Sequence, residues 1–155
     1  MKLTSTVFDD KAKVPQEYVM AAAGGSNISI PLAWEHAPEG VKFFAISIVD
    51  HHPMASRWVH WLVIDIPANV TSLARGASQK NMPKGSLELK NSFGSAGYGG
   101  PQPPKGRGDH AYVITIYALN ADSLSLGDSV TEAQFLKAIE GKVLGSAHIT
   151  GYYGR

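Results

Sequence analysis

At 155 residues, with 17% charged residues, a formal net charge of +1 and no cysteine, the chain has the length of one domain, expected to span residues 1–155. So small and even a charge gives no reason to expect nucleic acid or an anionic membrane surface as partner. Without thiols there are no disulfides, no Cys-zinc site and no thiol chemistry.

The chain opens M-K-L-T-S-T-V-F-D-D-K, with no uninterrupted apolar stretch ahead of its acidic pair. Neither a signal peptide nor a membrane span is predicted there, and the expected location is the cytoplasm. The sequons at Asn27 and Asn69 are accordingly read as chance matches.

Apolar residues then recur mostly at period two, in short runs separated by Gly, Pro, Asn and Asp, which predicts an antiparallel β domain. The clearest runs are Val41 to Asp50, His60 to Ile66 and His110 to Leu119. Residues two apart share a strand face. In the first run Phe44, Ile46 and Ile48 lead on to Asp50 and then His52. In the second, Leu62, Ile64 and Ile66 lead back to His60, with Trp58 beyond. A hairpin through the short connection Pro53 to Val59 would set Asp50 and His52 beside His60. Trp58 and Trp61 are read as rim and packing residues.

Before the third run comes Y-G-G-P-Q-P-P-K-G-R-G-D-H-A-Y, Tyr98 to Tyr112, with four glycines and three prolines in fifteen residues. Prolines fix φ and glycines supply angles other residues avoid, so a shaped, rigid wall is expected. It is not a phosphate-binding P-loop, because Pro104 precedes Lys105 and Gly106 follows it. In the third run Ile116 and Ile114 lead back to Tyr112 and His110. A lone Asp at a strand end is ordinarily a turn acceptor and a lone His a boundary group. Three apolar rows that each end in acid or imidazole instead suggest a polar pocket at one end of the core, walled by the loop. The last predicted element is a helix near 130–140. Ser129-Val-Thr-Glu132 is its candidate capping box, Ala133, Phe135, Leu136 and Ile139 its apolar face, and Gly141 its stop.

The elements V-D-H-H-P-M, W-V-H-W-L-V-I-D-I-P and the Gly/Pro loop, with P-L-A-W-E-H-A-P-E-G and the C-terminal G-Y-Y-G-R, resemble the phosphatidylethanolamine-binding protein family, also called Raf kinase inhibitor-like. The compact length is similar to its bacterial and archaeal branch. The resemblance implies a mostly β fold: an antiparallel two-sheet Greek-key core with one or more peripheral helices. It also implies a pocket for a simple anion or a phosphorylated headgroup such as phosphoethanolamine, formed by Asp50, His60, Gly100, Gln102, Pro104, His110 and Tyr112. Gln102 would act mainly through its backbone. The family's D-P-D-x-P is here Asp50-His51-His52-Pro53-Met54, so His52 stands in place of the second acid and makes the pocket less acidic.

Two functions follow. The leading one is a binding module that reads a phosphorylated small molecule or simple anion and regulates a protein partner such as a kinase or protease, without a cofactor or a reaction. The alternative is a metal-dependent hydrolase using His52, His60, His110 and Asp50. Against the second stand the scattered candidate ligands and the absence of an H-x-x-x-H pairing; a Ser-His-Asp hydrolase lacks a G-x-S-x-G signal.

Overall fold

The computed structural model describes every residue from Met1 to Arg155. Two antiparallel sheets form the domain. Strands β1 (Lys2–Thr4), β2 (Leu32–Glu35) and β5 (Ser72–Leu73) make a three-stranded sheet in the order β1-β2-β5. Strands β3 (Phe43–Asp50), β4 (Val59–Pro67), β6 (Leu87–Glu88), β7 (His110–Leu119) and β8 (Val143–Tyr153) make the larger one, ordered β6-β4-β3-β7-β8. The chain switches sheets after β2, β4 and β5, as in the expected two-sheet architecture. The third predicted run coincides with β7, while β3 and β4 match the first two to within two residues.

The larger sheet is covered on both sides. Between the sheets lies the main core, which includes Trp34, Phe44, Ile46, Ile48, Ile114 and Ile116. On the outer side Ala45, Val49, Leu62 and Ile64 pack against Leu124 and against Phe135 and Ile139 of helix α1 (Glu132–Ile139). A strand buried on both faces needs no polar alternation, which is why β3 reads F-F-A-I-S-I-V-D.

Strand β4 departs from simple alternation twice. Its pairing with β3 runs Phe44↔Ile66, Ile46↔Val63, Ile48↔Trp61 and Val49↔Val59. An extra residue therefore sits in β4 on either side of the Val63–Trp61 stretch: one near Asp65, whose φ is 58°, and the other His60. This corrects the row drawn through Leu62, Ile64 and Ile66. Leu62 and Ile64 belong to the outer cluster and Ile66 to the inner core, because the bulge at Asp65 exchanges the faces.

Helix α1 starts two residues later than the Ser129–Glu132 pattern predicts. Thr131 is the N-cap: its hydroxyl accepts from the Gln134 N–H at 3.1 Å while the Gln134 side chain accepts from the Thr131 N–H at 2.9 Å. The overlapping T-x-x-Q spacing prevails, and Glu132 is engaged instead by Arg57, whose guanidinium donates two hydrogen bonds to it at 2.9 and 3.0 Å. Leu136, expected on the buried face, is 39% exposed; Phe135 and Ile139 carry the packing.

Candidate functional site

The ends of β3, β4 and β7 meet at one edge of the core. Asp50 pairs with Tyr112 across β3 and β7, which continues the ladder Ile46↔Ile116 and Ile48↔Ile114. The rows read from Phe44 and from Ile116 therefore do run side by side into polar groups. His60 arrives by a different route from the one the sequence suggested. As the extra residue of a bulge it leaves the outer face of Leu62 and Ile64 and turns inward, its ring edge-on to Tyr112 with centroids 5.0 Å apart. Bulges commonly re-aim a side chain in this way.

Each ionisable group is anchored on its back side. Asp50 Oδ2 accepts from His110 Nδ1 at 2.6 Å, with both side chains buried, and Asp50 Oδ1 accepts from the His52 N–H at 2.8 Å. His60 Nδ1 donates to the carbonyl of Gly99 at 2.7 Å and lies 3.2 Å from that of Gly100. Burial lowers the pKa of His60 below the ordinary imidazole value, only partly offset by these carbonyls. Burial also lifts the Tyr112 phenol far above its usual range, so its hydroxyl stays protonated. Two buried polar atoms here have no partner in the protein, His110 Nε2 and the Tyr112 hydroxyl.

The Gly/Pro loop is the expected wall, and neighbours hold it at several points. Tyr98 donates its hydroxyl to the Tyr18 carbonyl at 2.7 Å, the Met20 N–H donates to Pro101 at 3.0 Å, and Arg155 Nε donates to the Pro103 carbonyl at 2.7 Å. Asn27 clamps the loop's start, accepting from the Gly100 N–H at 2.7 Å and donating to the Tyr98 carbonyl at 3.3 Å. A Cβ at Gly100 would collide with the Tyr18 carbonyl, so only glycine lets the loop seat this closely.

Between loop and strand ends lies a pocket of about 400 Å³, lined by six of the eight predicted residues: Asp50, His60, Gln102, Pro104, His110 and Tyr112. Gly100 and His52 do not line it. Gly100 works from behind, fixing the loop and facing His60 Nδ1. His52 stacks flat on His110, with centroids 3.9 Å apart and planes 9° apart, and its Nδ1 accepts from the Met54 N–H to cap the turn Pro53–Ala55. It supports the site rather than facing it. Asp50 orients His110. The three imidazoles and Asp50 do not converge as a group able to hold a metal ion.

Sequence reading missed Phe93 and Met54, which line the pocket beside Trp58. Phe93 meets Trp58 and His60 edge-on at 5.4 and 5.6 Å. It is placed by buried Asn91, whose side chain accepts from the Phe93 N–H at 2.9 Å and donates to the Gly97 carbonyl at 2.9 Å. The only sequence signal for it is the turn-forming N-S-F-G itself.

Comparison with known proteins bears on the family and the fold. The sequence model of a family described as phosphatidylethanolamine-binding protein matches residues 4–154. The UPF0098 protein YbhB of Escherichia coli (strain K12) is 35% identical, over 99% of this chain and 99% of its own length. A UPF0098 protein of Aquifex aeolicus (strain VF5) is 34% identical, over 100% of this chain and 89% of its own. The crystal structure of Escherichia coli YbcL, described as a new member of the mammalian PEBP family, has a TM-score of 0.92 at 32% identity, covering 99% of this chain and 98% of that one.

Proposed function

This chain belongs to the phosphatidylethanolamine-binding protein family, and we propose that its pocket binds a phosphoryl group, as inorganic phosphate or on a small phosphorylated molecule. The observation that carries the reading is the pair of polar atoms in pocket-lining residues, His110 Nε2 and the Tyr112 hydroxyl, buried without a protein partner. Buried polar groups are nearly always satisfied, so a pair left free in one concave site argues for a ligand that satisfies them. Imidazole and phenol at that position suit an oxyanion.

The protein acts in this reading as a binding module and not as an enzyme. His52, His60 and His110 each have Nδ1 committed to the protein, and no nucleophile is held against His110 Nε2. Regulation of a protein partner, a kinase or a protease, is the extension; Met54 and Trp58, 47% and 39% exposed, leave apolar surface at the mouth of the pocket for such a contact. A cytoplasmic location is part of the same proposal. No helix is long and apolar enough to cross a membrane, and a 32% identical relative from Mycobacterium tuberculosis is called a putative lipoprotein, so cell fractionation decides.

The test of binding is titration calorimetry with phosphate and with phosphoethanolamine, alongside thermal melting. Dissociation constants in the micromolar to millimolar range are expected, since so small a polar ligand buries little apolar surface. Folded protein that gives neither heat nor a thermal shift at high millimolar ligand would overturn the reading.

A further inference from the structure

The pocket presents both donors and an acceptor, and the way each ring is anchored decides which is which. His60 Nδ1 faces the carbonyl oxygens of Gly99 and Gly100 at 2.7 and 3.2 Å. Carbonyls only accept, so Nδ1 carries the proton. The residue is 3% exposed, and the carboxylate nearest in the site, Asp50, is spent on His110 and the His52 N–H. A second proton on His60 would be a buried charge with no counterion of its own, and burial lowers its pKa accordingly. Nε2 of His60 is then a bare lone pair. His110 is anchored the opposite way: its Nδ1 lies 2.6 Å from the Asp50 carboxylate rather than from a carbonyl, so an Nε2–H turned to the ligand would have that carboxylate at its back. Tyr112, kept as a neutral phenol by burial, offers O–H.

The titratable groups facing His60 are Asp50 from β3 and His110 and Tyr112 from β7. None donates to it: Asp50 only accepts, and His110 Nε2 and the Tyr112 hydroxyl are unpartnered. The Tyr112 ring centroid is 5.0 Å from that of His60 and 6.3 Å from that of His110, and all three side chains line one pocket.

We propose that His60 Nε2 makes the pocket selective for a phosphoryl group that still carries a proton, and rejects oxyanions without one, such as sulfate. The inference rests on the phosphoryl-binding reading above. A P–OH donates to His60 while its other oxygens accept from His110 and Tyr112. Sulfate would set an oxygen lone pair against the His60 lone pair in a buried site, and an unmatched buried pair is what lets a site reject a near-isostere.

The experiment is calorimetry at about pH 6, where a phosphomonoester is close to half singly protonated, with four probes: inorganic phosphate, sulfate, phosphoethanolamine and 2-aminoethyl sulfate. Phosphate is expected to bind at least about tenfold more tightly than sulfate, and 2-aminoethyl sulfate as weakly as sulfate. His60→Gln, whose amide can turn an N–H toward the ligand, should narrow the phosphate-to-sulfate ratio by gaining sulfate affinity. In case that variant does not fold, nitrogen-15 NMR of the unsubstituted protein saturated with phosphate should find His60 protonated at Nδ1 and bare at Nε2. Sulfate within about twofold of phosphate, where about tenfold is expected, would overturn the inference and leave phosphoryl binding standing, as would a protonated Nε2. If 2-aminoethyl sulfate matches phosphoethanolamine, the proton that His60 accepts comes from the amine and the proposal is wrong. Silence from all four probes would overturn the binding reading and the selectivity with it.

Discussion

The Tyr112 hydroxyl has no partner in the protein, and that makes it the residue at which binding and folding can be separated. Tyr112→Phe removes one donor from the pocket and leaves the ring that packs edge-on to His60. It should weaken phosphate binding by about 1–3 kcal/mol while the melting temperature holds or rises, because a buried unsatisfied group is removed. Calorimetry and thermal melting on one preparation check both halves; unchanged affinity would take Tyr112 out of the site. Ile114→Ala is the contrast, two residues deeper on the same strand face and 1% exposed. It should cost about 2–5 kcal/mol of stability through a core cavity. Removing the His110 imidazole would blur the distinction, since Asp50 would be left a buried carboxylate without its partner, a loss of about 3–5 kcal/mol.

Where β7 is concerned, the sequence is enough: His110, Tyr112, Ile114 and Ile116 keep strict alternation, and the face they define is the face found. For β4 it is not. His60 was correctly expected in the pocket, but by an alternation that two bulges interrupt, and nothing in V-H-W-L-V-I-D-I-P marks an extra residue when both faces of the strand are apolar. The helix start failed for a related reason, two overlapping cap patterns in D-S-V-T-E-A-Q that only the engagement of Glu132 by Arg57 separates. Thr131→Ala should therefore cost about 1 kcal/mol, and Ser129→Ala a few tenths at most, in denaturant unfolding. The loop's anchor was illegible for another cause: Asn27 reaches it across 73 residues of sequence, a separation no local pattern reports. Asn27→Ala should lower stability by about 1–2 kcal/mol and also weaken phosphate binding, because the segment that fixes His60 Nδ1 loses its clamp. Loss of stability with affinity intact would mean that the loop holds its shape without Asn27.

The buried imidazole of His60 links the pocket to the stability of the whole molecule. Its pKa in the folded protein is lowered, chiefly by burial, whereas in the unfolded chain it returns to about 6.5. At a pH above both values neither state binds the proton and His60 contributes nothing to the pH dependence. As pH falls below about 6.5 the unfolded chain takes up a proton that the folded protein refuses, so stability declines with a limiting slope of about 1.4 kcal/mol per pH unit until the folded value is passed. His51, whose pKa is also lowered mainly by burial, adds to the same trend with the same sign. Denaturant unfolding between about pH 7.5 and pH 5, in a buffer free of phosphate, should therefore give falling stability toward acid, in a range where ordinary carboxylates near pH 4 have barely begun to titrate. His60→Gln should flatten part of that slope and His51→Gln a smaller part. Phosphoethanolamine should flatten the fall, because a ligand that binds only the folded state stabilises it by mass action and a singly protonated phosphomonoester becomes more abundant toward pH 5.5. A His60→Gln protein whose pH slope equals that of the unsubstituted chain would mean that the folded protein takes up the His60 proton as readily as the unfolded chain does, and would remove the burial argument for the lone pair on which the preference for a protonated phosphoryl group depends.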